Sequence, residues 1–272
     1  MTPHAQQVQT RFSEEAQNWS GLYQQTHSTS IYTHNLQRRK QYALGLLEGV
    51  EGRVLEIGCG SGNVIRSLPA KNGTRAFGAD FSIDMLRQAS LNVNSRGGAL
   101  PLLAADAHSL PFADGVFDAI LCLGLLEYIP DYNRVLTECR RILQPGGQLV
   151  VSVPNIASPF IKIDDLGFGL KNTVTRALPS GVRRWIKARF LGRRDKPYFN
   201  HRKLRFNPEA FTERLDRIGL RVQETRYHTF GFGLLNGVGL NIRLSEHLES
   251  HIHRSTPMEK FGWTCILKAI KA

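Results

Sequence analysis

The feature that most constrains the fold is the stretch VLEIGCGSGN at positions 54–63, where a short apolar run leads directly into a glycine-rich loop. A run of this length predicts a buried strand, and the glycines that follow it allow the backbone to adopt positive φ angles and to approach a ligand closely. Gly58, Gly60 and Gly62 have the spacing G-x-G-x-G. A dinucleotide-binding loop has G-x-G-x-x-G, which would require a glycine in place of Asn63. The loop therefore favours a ligand without a pyrophosphate.

Around this loop, short apolar runs alternate with segments of helical periodicity. The runs that predict strands are 53–57, 75–80, 100–106, 117–124 and 147–154, and the segments that predict helices are 63–68, 82–93 and 131–143. Strands that alternate with helices predict an α/β fold, with a parallel sheet and helices on both faces. The sequence LQPGG at 143–147 predicts the end of a helix and a turn into the fifth strand.

Acidic residues lie at the ends of three successive predicted strands. Glu56 ends the first strand, Asp80 the second and Asp106 the third. Ligands of open α/β sheets bind at the carboxyl ends of the strands, where a carboxylate can accept hydrogen bonds from ribose hydroxyls. The three acids therefore predict a nucleoside-binding edge. The competing interpretation is that they only cap helices or pair with surface bases.

Four segments in this order resemble the motifs of the class I S-adenosylmethionine-dependent methyltransferases. They are VLEIGCGSGN (54–63), GADFSIDML (78–86), AADAHSLPFADGVFDAILCLGLLEYIPD (104–131) and RILQPGGQLVVSVPN (141–155). The similarity is strong over residues 37–154 and is greatest to enzymes that act on quinone precursors, porphyrins and other small or lipophilic molecules. It implies a Rossmann-like seven-stranded sheet, mostly parallel with one antiparallel strand, with a helical insertion after strand five.

The resemblance also assigns S-adenosylmethionine as the cofactor and gives its binding residues. Glu56 and the three loop glycines, Gly58, Gly60 and Gly62, would surround the methionine part. Asp80 would bind the ribose. The residues expected next to the adenine or beneath the cofactor are Met85, Asp106, Ala107 and Leu123.

The residues that act on the methyl acceptor are left unassigned by these motifs. A sulfonium already activates the methyl group, so the protein has mainly to position the acceptor and exclude water. A base is needed only for a hydroxyl or carbon acid. Related enzymes often have Glu-His where this chain has Glu127-Tyr128, so a histidine base is missing there. The remaining candidates are Glu127, Tyr128, and His228 and His247 in the C-terminal segments. Tyr128 has two equally favoured interpretations, as a packing residue or as a group that orients the acceptor.

No metal site is predicted. His247 and His251 have the four-residue spacing of a metal-binding helix face, but no third ligand is specified. The four cysteines form no C-x-x-C pair, and Cys59 in the glycine loop is best explained as a small packing residue.

The chain divides into four regions. Residues 1–50 predict a helical lid in which Trp19 and Tyr23 either cover the ligand or pack within the lid; residues 51–154 form the cofactor-binding core. Residues 155–206 form a basic insertion with 13 Lys or Arg and three Asp, which give +10 of the net +12. Residues 207–272 supply a helix and strands that complete the sheet.

The basic insertion at 155–206 does not decide which kind of molecule accepts the methyl group. Its segment SGVRRWIKARFLGRR at 180–194 predicts an amphipathic basic helix that covers the acceptor pocket and contacts an anionic membrane. The same charge could bind nucleic acid, or the helix could be merely solvated. The absence of an NPPY-like tetrapeptide after strand four, where CLGLLE stands, makes a nucleic acid less favoured.

The favoured function is therefore methyl transfer to oxygen or carbon of a small or lipid-linked acceptor. The alternatives are a nucleic-acid or protein methyltransferase and a non-catalytic cofactor-binding protein. The N-terminal residues lack the apolar core of a signal peptide, and the longest apolar run, at 119–126, is too short to span a bilayer. We expect a cytoplasmic protein that can touch a membrane peripherally.

Overall fold

Seven strands form one sheet in the computed structural model, in which residues 3–24, 28, 30–68, 73–94, 100–167, 181, 204–235, 238–252 and 257–272 are described. The strands are β1 (Arg53–Ile57), β2 (Arg75–Asp80), β3 (Leu102–Ala104), β4 (Phe117–Leu123), β5 (Leu143–Pro154), β6 (Leu220–His228) and β7 (Thr264–Lys271). Their order is β3-β2-β1-β4-β5-β7-β6. The first five strands pair in parallel, and β7 pairs antiparallel with both β5 and β6. This topology confirms the predicted sheet with one antiparallel strand.

Helices precede the sheet, connect its strands and cover both of its faces. They are α1 (Pro3–Gln24), α2 (Ile31–Leu46), α3 (Ile83–Asn94), α4 (Tyr132–Ile142), α5 (Pro208–Arg217) and α6 (Gly239–His251). Residues 159–167 are also helical, and short 3-10 turns lie at Ile65–Ser67, Leu126–Tyr128, Gly233–Leu235 and Pro257–Phe261. The expected N-terminal helices are therefore present as α1 and α2.

Local sequence explains where two of these helices begin. Ser30 and Thr33 form a capping box at the start of α2, in which each side chain bonds to the other residue's backbone. Asn207 accepts hydrogen bonds from the N–H groups of Glu209 and Ala210, and Pro208 follows it at the first helical position of α5. Asn207 and Pro208 therefore define the start of α5.

The core has two layers, one on each face of the sheet. Successive residues of a strand point to opposite faces, so Leu55 and Ile57 of β1 pack in one layer and Val54 in the other. The first layer includes Leu136 of α4, and the second includes Ala43 of α2. This packing fixes the carboxyl ends of the central strands relative to the helices that pass above them.

Two local predictions were only partly right. Residues 63–68 form no more than the short turn Ile65–Ser67, because the Ile65 N–H donates to the Glu56 side chain and the chain becomes extended at Leu68. Strand β5 begins at Leu143 rather than at 147, because Leu143 already pairs with Phe117 before a register shift. The basic helix predicted within 180–194 lies outside the described residues, apart from residue 181.

Candidate functional site

The glycine loop lies between β1 and the turn at Ile65, and its backbone is hydrogen-bonded to the neighbouring strand β2. The N–H groups of Gly58 and Cys59 both donate to the Ala79 carbonyl of β2, at 2.8 and 3.0 Å. Gly58 has a φ of 70°, and a Cβ atom there would contact a Leu125 methyl carbon at 2.9 Å. Only glycine therefore fits without strain. The loop lies flat across the carboxyl ends of β1 and β2.

Asp80 fastens this loop to the second strand. Its two carboxylate oxygens accept hydrogen bonds from the N–H of Gly60 at 2.7 Å and from that of Ser82 at 2.8 Å. Burial raises the pKa of Asp80, and these N–H donors partly oppose the rise. Each oxygen has further acceptor capacity, so the carboxylate can also bind two neighbouring hydroxyl groups of a ligand.

Glu56 is a buried acid at the end of β1. One of its oxygens accepts the Ile65 N–H at 2.8 Å, and its side chain is 3% exposed. Burial raises the pKa of Glu56 to about 8, although the Ile65 N–H and the nearby Arg39 lower it. Glu56 is therefore largely protonated near neutral pH until a cation binds beside it.

Asp106 lies at the rim of the site rather than in its interior. Its side chain is 58% exposed, and one oxygen accepts both the backbone N–H of His108, at 2.9 Å, and a ring contact from its Nδ1, at 2.7 Å. Burial tends to raise the pKa of Asp106, but the His108 contacts outweigh it and lower the pKa overall. Asp106 and Ala107 still line the same cavity as Asp80.

A single cavity joins these residues. It encloses about 860 Å³ within the described part of the chain, a volume typical of small-molecule sites. Eight of the nine predicted cofactor residues line it, namely Glu56, Gly58, Gly60, Asp80, Met85, Asp106, Ala107 and Leu123. Gly62 does not; a Cβ there would lie 3.2 Å from the Ala89 Cβ of α3, so this glycine permits close packing of the helix instead.

Helix α1 forms the roof of the cavity. Its Ser13 hydroxyl bonds to that of Ser82 at 3.0 Å. The Phe12 ring packs edge-on against both Trp19 and Tyr128, with centroids 5.4 and 5.3 Å apart. Trp19 and Tyr23 both line the cavity, which supports the interpretation that they cover the ligand.

Arg39 of α2 is a charged cavity residue that the sequence motifs did not reveal. It is 5% exposed, its Nη2 donates to the Tyr23 hydroxyl at 2.9 Å, and its buried Nε has no hydrogen-bond partner among the described residues. Burial lowers the pKa of Arg39, but interactions with Tyr23 and Glu127 more than offset this, so the guanidinium stays charged. The only sequence signal is the run QRRKQY, in which nothing distinguishes Arg39 from its basic neighbours.

The candidates for an acceptor-side base have different environments. Tyr128 is buried and lines the cavity, whereas Glu127 is buried without lining it. His228 is fully buried, stacks on Tyr42 and lies off the cavity wall. Burial lowers the pKa of His228 to about 3, so it is neutral at any physiological pH. His228 therefore has neither the position nor the access that a base requires.

The other residues singled out by sequence fall outside the site or are inert. The rings of His247 and His251 lie 4.1 Å apart on the exposed side of α6, and no group of three or more metal-binding side chains occurs among the residues that the structure describes. Cys59 lines the cavity, but burial raises the pKa of its thiol well above the usual value. It therefore acts as a packing residue, as expected.

His4 is a further cavity residue that sequence inspection missed. It lies in the first turn of α1, and its Nε2 is 2.9 Å from the Tyr128 carbonyl oxygen. Because a carbonyl only accepts hydrogen bonds, Nε2 carries the proton in this contact, and Nδ1 of the neutral ring is the basic nitrogen. The contact places the His4 ring beside the backbone of Tyr128, the position at which related enzymes often have a histidine.

A family model described as "Methyltransferase domain" matches residues 55–151. Residues 55–151 are therefore a methyltransferase domain, and the chain has the fold of the class I S-adenosylmethionine-dependent methyltransferases. Curated relatives include the demethylmenaquinone methyltransferase of Thermus thermophilus, 38% identical over 115 residues, and the ubiquinone biosynthesis O-methyltransferase of Xanthomonas axonopodis pv. citri, 28% identical over 145 residues.

These alignments are partial. They cover 42% and 53% of this chain, and they span 52% and 59% of the two relatives, so a little over half of each relative is matched. Over its whole length the chain is similar to the solved magnesium protoporphyrin IX methyltransferase of Synechocystis, with a TM-score of 0.61, 16% identity and coverage of 99% and 100% of the two chains. At this identity the similarity concerns the fold.

The side chains of the cavity fit S-adenosylmethionine, the cofactor of this domain. Its amino group, ribose hydroxyls and carboxylate have matching partners in Glu56, Asp80 and Arg39, all of which line one cavity. Arg39 would supply the cation for the carboxylate, a role that none of the nine predicted residues can fill.

Proposed function

We propose that the protein is an S-adenosylmethionine-dependent methyltransferase that methylates oxygen or carbon of a small, lipophilic acceptor. The observation that carries the proposal is the joint presence of Glu56, Asp80 and Arg39 in one cavity that extends beneath the aromatic side chains of α1. The matched relatives named as quinone-biosynthesis methyltransferases support the choice of acceptor class.

The protein's part in the reaction is to hold both reactants in line and to exclude water. Asp80, fixed by two backbone N–H groups, holds the ribose; Arg39 and Glu56 hold the two charged ends of the methionine part. The bound cofactor supplies an electrophilic methyl group on a sulfonium. Positioning of this kind can lower a barrier by about 7–11 kcal/mol. Phe12, Trp19 and Tyr128 close the cavity against water.

We assign His4 as the base that deprotonates the acceptor, with Tyr128 as a neighbouring orienting group. The Tyr128 carbonyl holds Nε2–H, so that Nδ1 can take a proton from a phenolic hydroxyl, and the resulting imidazolium keeps its hydrogen bond to the carbonyl. In this arrangement α1 supplies the histidine that is absent at position 128.

Two broader elements of the proposal concern location. We infer that the protein works in the cytoplasm, in agreement with its four free, buried cysteines. We also infer that it contacts an anionic membrane, with residues 155–206 as the acceptor cover, in agreement with their net charge of +10. No helix among the described residues is long and apolar enough to cross a membrane.

The test combines cofactor binding with methyl transfer. Calorimetry should detect S-adenosylhomocysteine binding to the wild type, and Asp80→Ala should weaken it at least about tenfold because a buried hydrogen-bonding partner is lost. Labelled methyl should pass from the cofactor to an alkylcatechol. Unchanged binding by Asp80→Ala would refute the cofactor site. Binding without transfer to any catechol, quinol or carboxylate would refute the acceptor class.

A further inference from the structure

A cluster of polar side chains lies between α2, α6 and the adjoining ends of β6 and β7. We call it the α2 cluster; its members are His34, Asn35, Arg38, Thr229, Ser245, Glu249 and Thr264. All of them except Arg38 are almost completely buried, and none lines the cofactor cavity. A buried polar network whose members are hydrogen-bonded to one another holds the elements that carry them in one arrangement. The place of α2 therefore depends on α6 and on the sheet.

Glu249 of α6 is the centre of this cluster. One carboxylate oxygen accepts hydrogen bonds from the Thr229 N–H at 2.9 Å and from the Ser245 hydroxyl at 3.1 Å. From α2, His34 Nε2 donates to the same oxygen at 3.0 Å, and Arg38 Nε lies 2.6 Å from the other oxygen. Burial tends to raise the pKa of Glu249, but the His34 hydrogen bond and the Arg38 charge outweigh it and lower the pKa overall. A charged, buried carboxylate thus holds two residues of α2.

Asn35 ties α2 to the sheet as well. Its amide donates to the Thr229 hydroxyl at 3.1 Å and to the Thr264 hydroxyl at 2.8 Å. Among the described residues, Thr229 is the one non-glycine residue with a positive φ, at 66°, which strains a β-branched side chain. The contacts of Thr229 with Glu249 and Asn35 hold the backbone in this conformation. The strained end of β6 and the place of α2 are therefore fixed by the same contacts.

Helix α2 also carries Arg39 into the cofactor cavity. Arg39 follows Arg38 directly and lies four residues after Asn35, so its side chain leaves the helix on the same face as Asn35. Its guanidinium donates to the Tyr23 hydroxyl at 2.9 Å and lies directly against the backbone of Gly124. Because the guanidinium is enclosed in this way, it cannot reorient to compensate for a shift of α2.

We propose that Glu249 is a positioning residue for the cofactor: by holding His34 and Arg38 it fixes α2, and thereby the place of the Arg39 guanidinium. The inference rests on the proposed function for the identity of the ligand, whose carboxylate Arg39 would bind. The adenosine half has its partner in Asp80 at the end of β2, which is independent of α2. The competing explanation is that the α2 cluster only stabilises the fold.

Calorimetry with two ligands distinguishes these explanations. Glu249→Gln keeps the shape of the side chain and removes the charge that holds α2. It should weaken S-adenosylhomocysteine about threefold to tenfold, because a displaced guanidinium retains only part of a charge-assisted hydrogen bond. Methylthioadenosine lacks the amino-acid group, so its affinity should change less than about twofold. An equal loss for both ligands, or no loss for either, would overturn the proposal.

A double-mutant cycle tests whether Glu249 acts through Arg39. In the Arg39→Met background, Glu249→Gln should weaken S-adenosylhomocysteine by less than about twofold, because the guanidinium that it positions is gone. Independent contributions would add. A further loss of the full size in the double variant would therefore show that Glu249 does not act through Arg39.

The same distinction should appear in turnover. For methyl transfer to a short-chain catechol, Glu249→Gln should raise the KM for S-adenosylmethionine about threefold to tenfold. The kcat at saturating cofactor should stay within about twofold, since Glu249 does not line the cavity and contacts neither reactant. A loss confined to kcat would contradict the positioning role.

Asp118→Asn is the matched control. Asp118 accepts the Arg53 N–H at 2.7 Å and the Gln144 amide at 2.6 Å at the amino ends of the strands, opposite the cavity edge. The variant should lower the urea midpoint and leave both affinities within about twofold. If Glu249→Gln does not fold, Arg38→Met replaces it, because that side chain is 31% exposed. It should weaken S-adenosylhomocysteine about twofold to fivefold and leave methylthioadenosine unchanged; an equal change for both would reject the positioning role.

The positioning role and the proposed function fail in different measurements. Absence of S-adenosylhomocysteine binding by the wild type would refute the cofactor site and with it the proposed function. Normal binding by the wild type, with variants that do not distinguish the two ligands, would refute the role of Glu249 alone.

Discussion

The guanidinium group of Arg39 lies directly against the backbone of Gly124, so that a Cβ atom at position 124 would overlap its Nη1 atom. Gly124 has a φ of 65° and follows β4, and Arg39 comes from α2, 85 positions earlier in the chain. Two elements that are distant in sequence thus create one wall of the cofactor cavity. The absence of a side chain at residue 124 is what makes room for the buried cation.

Replacing this glycine should displace the arginine. We expect Gly124→Ala to lose about 1 kcal/mol of stability from its positive φ and a further 1–3 kcal/mol from the overlap. It should weaken S-adenosylhomocysteine binding about tenfold or more, because Arg39 moves. The matched control is Gly115→Ala, whose φ is 67° and whose Cβ would have its nearest contact at 3.8 Å, on Gln144. It should show only the first loss, measured by urea unfolding, and should bind the ligand normally.

The carboxylate assigned to Arg39 can be tested by comparing two ligands. Arg39→Met keeps most of the side-chain volume but removes the charge. It should weaken S-adenosylhomocysteine about tenfold to a hundredfold, since a charge-assisted hydrogen bond is lost. Methylthioadenosine has no amino-acid group, so its affinity should stay within about twofold. An equal loss for both ligands in calorimetry would show that Arg39 only supports the fold.

Eight of the nine predicted cofactor residues line the cavity, because their positions follow from local sequence. Glu56 and Asp80 lie at the ends of apolar strands, and the parallel sheet brings the ends of those strands to one edge. Arg39 and His4 reach the cavity from helices that precede the sheet, and the direction in which a helix crosses a sheet is set by packing that no short motif encodes. His228 is the opposite case, a residue that the sequence offered as a candidate and the structure excludes. Its position at the end of β6 does not reveal that its ring is fully buried against Tyr42.

Cofactor binding should release a proton through Glu56. The pKa of Glu56 is about 8 in the free protein, so the acid is mostly protonated at neutral pH. A bound ammonium group favours the carboxylate and lowers this pKa. Binding of S-adenosylhomocysteine should therefore release up to about one proton near pH 7 and should strengthen as the pH rises toward about 8. Calorimetry in buffers of different ionisation enthalpy measures the released proton, and Glu56→Gln should abolish it.

The raised pKa of Glu56 also makes the free energy of unfolding of the ligand-free protein depend on pH. The folded pKa lies above the unfolded value of 4.5, so the native state binds more protons between these two pKa values. The contribution of Glu56 to the free energy of unfolding is therefore fully present below the pKa of the unfolded state and is lost as the pH rises through the pKa of the folded state. The free energy of unfolding of Glu56→Gln, measured by urea denaturation, should fall less over this range than that of the wild type. Parallel pH profiles for the two proteins would contradict the assignment.

His4 should control the rate of methyl transfer without affecting cofactor affinity. As the proposed base it takes the proton of the acceptor hydroxyl, so His4→Gln should reduce the turnover of a short-chain catechol about 10²- to 10⁴-fold. S-adenosylhomocysteine binding should remain unchanged, and added imidazole should partly restore the rate in His4→Ala. The control is His251→Gln, on the exposed side of α6, which should leave the rate unaltered. A His4→Gln enzyme that keeps the wild-type rate would show that the contact with the Tyr128 carbonyl serves only to seat α1.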